Sequence, residues 1–114
     1  MPRLLFVEDE DDLRLLVSEA LGDLGHEVAL ARDGAEAIEL LRGPDRFDHV
    51  VTDMNMPRGL SGLEVAAEAA KVQPDARVVL VSGYQRSQLP PIPEGTRFLA
   101  KPYRLHQLLA ILAD

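Results

Sequence analysis

The chain has 114 residues, enough for one ordinary domain and too few for two independent hydrophobic cores. Hydrophobic residues make up 46% and charged residues 27% of it, too apolar for a disordered chain and too evenly mixed for a membrane protein. Nineteen Asp and Glu against twelve Lys and Arg give a net charge of -7, which argues against nucleic acid and anionic membrane surfaces as direct partners, and the lack of cysteine removes disulfides, zinc thiolates and thiol catalysis.

A single domain over residues 1–114 is therefore expected. The first residues, Met-Pro-Arg-Leu-Leu-Phe-Val, turn acidic at Glu8 and have neither the apolar length nor the cleavage site of a signal peptide, so a cytoplasmic protein is expected. Leu4-Leu5-Phe6-Val7 has no polar face and reads as a strand buried on both sides, the mark of a parallel sheet. Asp12 to Leu24 has helical period, with Leu13, Leu16, Val17, Ala20, Leu21 and Leu24 expected on the core face and Gly25 at the left-handed cap. Val28-Ala29-Leu30-Ala31 is a second strand. Asp33 with Glu36 predicts a capping box opening a helix that runs through Arg42, ended by Gly43-Pro44.

His49-Val50-Val51-Thr52 is the third strand and delivers Asp53 to its carboxyl end. After a loop, Ser61 and Glu64 predict a second capping box and a helix to about Val72. Val78-Val79-Leu80-Val81 and Arg97-Phe98-Leu99-Ala100 are the fourth and fifth strands, and Tyr103 to Ala113 the last helix, with Leu105, Leu108, Leu109 and Leu112 facing inward. Between the last two strands, Pro90, Pro91 and Pro93 leave room for one or two helical turns at most. Such alternation implies right-handed crossovers and an open parallel sheet between two helical layers.

Functional groups in such a sheet collect outside the carboxyl ends of the strands. There the sequence places Glu8 and Asp9, then Asp53, Ser82 and Lys101. Crowded carboxylates repel one another unless a cation intervenes, and oxygen donors from Asp9, Asp53 and the main chain of Asn55, without Cys or His, favour Mg2+. Glu8, Asp9, Asp53, Lys101 and Mg2+ sum to zero charge, so a dianionic phosphoryl group can enter. Singly, each residue has an ordinary structural explanation as a cap, a turn or a solvated helix start; the joint placement at four strand ends carries the weight.

Leu5-Phe6-Val7-Glu8-Asp9-Glu10, Val51-Thr52-Asp53-Met54-Asn55-Met56-Pro57, Val81-Ser82-Gly83-Tyr84 and Phe98-Leu99-Ala100-Lys101-Pro102-Tyr103 together resemble the receiver domain of two-component response regulators, over essentially the whole chain. The resemblance implies an α/β, flavodoxin-like or CheY-like doubly wound sheet of five parallel strands in the order 2-1-3-4-5, here with a shortened fourth helix. It implies that Asp53 takes a phosphoryl group from a phosphohistidine, with Mg2+ held by Glu8 (directly or through water), Asp9, Asp53 and the Asn55 carbonyl. Lys101 would pair with Asp53 or the phosphoryl oxygens, Ser82 would hydrogen-bond the phosphoryl group and draw its loop inward, and small Gly83 would leave room for it. Phe98 falls at the aromatic switch position. The implied partners are a histidine kinase or histidine phosphotransfer protein and a downstream protein target, and the implied activity is a switch, with self-phosphorylation and dephosphorylation, rather than metabolic catalysis.

The loop Met56 to Gly62 has one residue more than the commonest receiver form, and with Ser82-Gly83-Tyr84 it resembles receivers of hybrid histidine kinases as well as single-domain regulators. The short, proline-rich fourth crossover argues against the dimer that transcriptional receivers build there, so a monomer is expected. Tyr84 is placed to shield the acyl phosphate. Leu15, opposite the predicted core face of the first helix, is expected to be exposed and to touch the helical bundle bearing the donor histidine. Rival readings are a receiver-fold interaction module that works without phosphorylation, and a Toprim-like metal-dependent phosphoryl-transfer enzyme. Asn55, standing where that enzyme wants a second carboxylate, weakens the latter; a dehalogenase-like phosphatase lacks its Asp-x-Asp after the first strand, and neither a P-loop nor a dinucleotide fingerprint occurs.

Overall fold

A computed structural model describes residues 2–55 and 60–113. Five strands, β1 (Arg3–Val7), β2 (Glu27–Ala31), β3 (His49–Asp53), β4 (Arg77–Ser82) and β5 (Arg97–Ala100), alternate with helices α1 (Asp11–Asp23), α2 (Gly34–Arg42), α3 (Gly62–Val72) and α4 (Leu105–Ala113). All strand pairs are parallel and the order is β2-β1-β3-β4-β5. The reversal of order at β1 opens a crevice between the ends of β1 and β3, where Glu8, Asp9 and Asp53 leave the sheet.

The period-two alternation of β1 sorts its side chains between two cores. Leu5 and Val7 join Ala37, Leu41, Val65 and Ala69, placing α2 and α3 on one face. Leu4 and Phe6 join Val17, Leu21, Leu108 and Leu112, placing α1 and α4 on the other. Leu4, Leu5 and Phe6 are almost wholly removed from water, and each such side chain contributes about 2 kcal/mol of hydrophobic stabilisation before entropy is counted. The fourth crossover holds a single exposed 3-10 turn, Arg86–Gln88, as the prolines dictate. No described helix is long and apolar enough to cross a membrane.

Several local expectations need correction. Leu16 and Leu24, expected in the core, are 67% and 55% exposed, while Arg14 is buried beside Val17 and Leu21. At 100° per residue the buried direction of α1 lies between Val17 and Arg14, about 130° from Leu16; Leu24 lies past the last helical residue. The apolar stripe is thus wider than the face the sheet covers. On α4, which starts at Leu105 rather than Tyr103, Leu108 and Leu112 are buried whereas Leu105 and Leu109 are only half-buried.

The two capping boxes also differ from expectation. The Asp33 carboxylate accepts from Glu36 N at 2.9 Å, but Glu36 reaches the main-chain N and the guanidinium of Arg32 instead of Asp33. At Ser61 the side chain makes no cap bond; its carbonyl accepts from Glu64 N, and Gly62 N donates to Met54 O at 2.9 Å. A tertiary bond to the end of β3 therefore fixes the start of α3, where a local one was expected. The loop Met56 to Gly62, for which one extra residue is expected, lies partly outside the described residues, at 56–59.

Candidate functional site

The carboxyl edge of the sheet is held by main-chain bonds that continue the strand ladders. Glu8 N donates to Ala31 O at 3.0 Å, Met54 N to Val81 O at 2.7 Å and Lys101 N to Ser82 O at 2.8 Å. These bonds fix the residues that follow β1, β3 and β5 at one level. Glu8 and Asp53 are buried, at 3% and 7% exposure, and Asp9 is exposed. One carboxylate oxygen from each of these three residues lies within 4.8 Å of the others.

Lys101 emerges from β5, two strands from β3, so its side chain must reach back about 10 Å over the end of β4. Its Nζ donates to Asp53 Oδ2 at 2.9 Å and stands 3.6 Å from Glu8 Oε1. The Glu8 carboxyl is pushed up to about 7 by burial and by the charge of Asp53, against the opposing pull of the Glu10 amide and Lys101. Burial alone would lower the Lys101 ammonium; the hydrogen bond and charge of Asp53, with Glu8, outweigh it and raise it. Beside them, burial and the Glu8 charge push the Tyr103 hydroxyl up to about 12. Among the described residues, one lysine thus compensates a group of three carboxylates incompletely. Hard oxygen donors this close, one of them paying for ionisation with a displaced proton affinity, fit a divalent cation such as Mg2+.

Residues 4–113 match the model of the response regulator receiver domain. The chain belongs to this family. Among its relatives, it is 32% identical to the response regulator receiver protein CpdR of Brucella abortus over 96% of this chain and 92% of that one. It is similar to the solved receiver domain of the hybrid histidine kinase CckA, with 32% identity, a TM-score of 0.81 and coverage of 97% and 95%. It is likewise similar to the response regulator TrrA of Thermotoga maritima in complex with Mg(2+)-BeF, with 34% identity, a TM-score of 0.83 and coverage of 99% and 97%. Of several other curated relatives the chain spans less than half the length.

Around the acidic group of this receiver, Ser82 ends β4 fully buried, and its Oγ accepts from Tyr84 N at 3.0 Å, which closes the turn through Gly83. A Cβ at Gly83 would meet no protein atom within 4 Å, so no protein contact requires glycine there. Asn55 is exposed next to buried Met54. Phe98 is half-buried on β5, paired in register with Leu80, two residues before the strand ends at Ala100. Tyr84 and Leu15 are each 56% exposed. The structure thus gathers Glu8, Asp9, Asp53 and Lys101 into direct proximity, puts Ser82 and Asn55 on the same edge, and leaves Leu15 on the outer face of α1.

Beside Leu15, a groove of about 390 Å3 runs between α1 and the loop into α4, lined by Leu13, Leu16, Val17, Ala20, Tyr103 and Leu105, with Lys101 at its head. Leu16, misplaced by the helical pattern, belongs to this groove. Two residues near the site escaped the reading of strand ends. Gly62 packs directly on the Asp53 carbonyl. Arg14 lies under the acidic loop, and its signal was an arginine inside an apolar helical stripe, three residues from Asp11.

Proposed function

We propose that the receiver takes a phosphoryl group from a phosphohistidine onto Asp53 and works as a switch in a two-component phosphorelay. The observation that carries this reading is the Lys101 ammonium on Asp53 Oδ2, with Glu8 and Asp9 gathered beside the same carboxylate. Asp53 Oδ attacks phosphorus, the new P–O bond forms as the P–N bond breaks, and the donor imidazole leaves with the electron pair of that bond. Mg2+, held by Glu8, Asp9, Asp53 and the Asn55 main-chain oxygen, supplies the charge that neutralises the carboxylates and the transferring oxygens.

The remaining roles belong to the chain. Lys101 pairs with the acyl phosphate once Asp53 is phosphorylated, and Ser82 turns its hydroxyl from Tyr84 N to a phosphoryl oxygen. Gly83 leaves the approach open, and Tyr84 folds over the product to slow hydrolysis. The movement of the Ser82 loop is passed to Phe98, where the downstream protein reads it. Leu15, with the groove beside it, receives the helical bundle that carries the donor histidine. The fourth crossover offers only one exposed turn to a second copy, which supports a monomer.

Phosphotransfer from a panel of histidine kinases and phosphotransfer proteins, with acetyl phosphate and Mg2+ as a small-molecule arm, tests the reading by intact mass. Wild type should gain one phosphoryl group in a Mg2+-dependent reaction and Asp53→Ala none. Modification that survives Asp53→Ala would refute Asp53 as the acceptor, and a wild type that no donor modifies would refute the reading as a whole and favour an interaction module that works without phosphate.

A further inference from the structure

We infer that Arg14 is a positioning residue for the metal-holding carboxylates, acting through the main chain of the acidic loop; this rests on the Mg2+ site proposed above. Its side chain is only 10% exposed, an uncommon place for a guanidinium. Nη1 donates to Glu8 O at 3.0 Å, Nη2 to Asp11 Oδ1 at 2.5 Å, and its own main-chain N donates to Glu10 O at 2.9 Å. The side chain therefore ties the acidic loop at Glu8 to Asp11, the first residue of α1, while the main-chain bond is the ordinary first bond of that helix.

That loop has an exacting task. It must leave β1, aim Glu8 and Asp9 at Asp53, and enter α1 within a few residues. The usual local device for fixing a helix entry is not in use, because Glu10 at the N-cap makes no side-chain cap bond. The Glu8 carboxylate is tied from its other end, with Oε2 accepting from Glu10 N at 3.1 Å. Arg14 and this bond together fix both the main chain and the side chain of Glu8. Loss of such a supporting bond around a metal ligand typically costs about 10- to 100-fold in metal affinity.

A merely structural account does not explain the choice of residue. A buried guanidinium costs desolvation that an apolar side chain of similar volume would avoid, and the neighbouring stripe positions are apolar. Electrostatics does not explain it either, since a cation close to a cation site opposes binding. What the guanidinium offers is a rigid planar fork that holds a carbonyl on one nitrogen and a carboxylate on the other; methionine has no donor, and lysine brings a single rotating ammonium without that fixed spacing.

These arguments give opposite signs in one experiment. Mg2+ is titrated calorimetrically into wild type, Arg14→Lys and Arg14→Met, with thermal melts recorded alongside. Positioning predicts that Arg14→Met weakens Mg2+ binding by about tenfold or more, that Arg14→Lys weakens it severalfold although its charge is unchanged, and that raised Mg2+ restores the initial phosphorylation rate of both. The charge effect alone predicts tighter binding by Arg14→Met and no change in Arg14→Lys. Binding at wild-type strength or better by Arg14→Met, or an Arg14→Lys indistinguishable from wild type, overturns the inference. Should Arg14→Met fail to fold, Arg14→Lys carries the decision by itself. A wild type that binds no Mg2+ would instead sink the proposed site.

Discussion

Gly62 opens α3 against the end of β3, and replacing it with alanine loads the strand that carries Asp53. The added Cβ would stand 2.2 Å from Asp53 O and 2.8 Å from Leu80 Cδ1, against an ordinary contact of about 3.5 Å. Neither neighbour can give way easily: the carbonyl belongs to a central strand, and Leu80 is fully buried on β4. Overpacking of this kind costs about 3 kcal/mol, the upper part of the usual range because the opposing atom is main chain. Removing a helical glycine returns at most about 1 kcal/mol. With an unfolding entropy of about 2.1 cal/mol/K per residue, or about 0.24 kcal/mol/K for the chain, the net loss of about 2 to 3 kcal/mol lowers the melting midpoint by roughly 10 °C. Gly22→Ala is the control, since a Cβ there meets nothing within 4 Å on an exposed part of α1; it should raise the midpoint by about 2 to 4 °C. Both are read by circular dichroism melts. A Gly62→Ala protein melting within about 2 °C of wild type would refute the claim that α3 is seated on the Asp53 carbonyl.

Three other outcomes follow from the geometry. The Glu8 carboxyl, about 7 in the folded chain against an ordinary 4.5, binds its proton more tightly folded than unfolded, so its contribution to stability is full below the unfolded value and disappears as pH rises through about 7. In Mg2+-free buffer the melting midpoint should therefore decline over that window and Glu8→Gln should remove the decline, while Mg2+ affinity rises over the same range as metal displaces the proton; wild-type and Glu8→Gln profiles of equal slope would contradict this. At the opposite edge of the sheet, burial holds the His49 imidazole below its usual range, with Asp48 opposing and the His26 ring 6.2 Å away, and Nδ1 of each ring is buried without a hydrogen-bond partner. Here the unfolded chain binds the proton more tightly, so stability is lost as pH falls below about 6.5, and urea midpoints should show that loss shrinking in His49→Asn. Finally, Leu15→Asp should slow transfer from a histidine donor while leaving Mg2+ binding and modification by acetyl phosphate unchanged; an unaltered transfer rate removes Leu15 from the docking face.

Strand positions were legible because a fully apolar tetrapeptide such as Leu4 to Val7 can satisfy itself only between two layers, whatever lies in those layers. The candidate site was legible for a related reason. In a parallel sheet every strand end lies on one edge, so Glu8, Asp9, Asp53, Ser82 and Lys101 had to share it once the strands were found. The prolines of the fourth crossover likewise announced its single turn, since the loss of an amide donor acts locally.

Tertiary structure alone decided which part of an apolar stripe is covered. Periodicity gave α1 a face including Leu16, but the sheet covers the sector from Val17 to Arg14, and Leu16 lines an open groove instead. The same holds for Ser61, whose cap bond is replaced by the contact of Gly62 with the end of β3; the pairing of Lys101 with Asp53, by contrast, was expected from the family resemblance, and the fold adds only its route across β4. Sequence pattern determines what a segment can bury or bond; where neighbouring elements stand determines what it does, because burial and hydrogen bonding are satisfied by whichever partner the fold brings nearest.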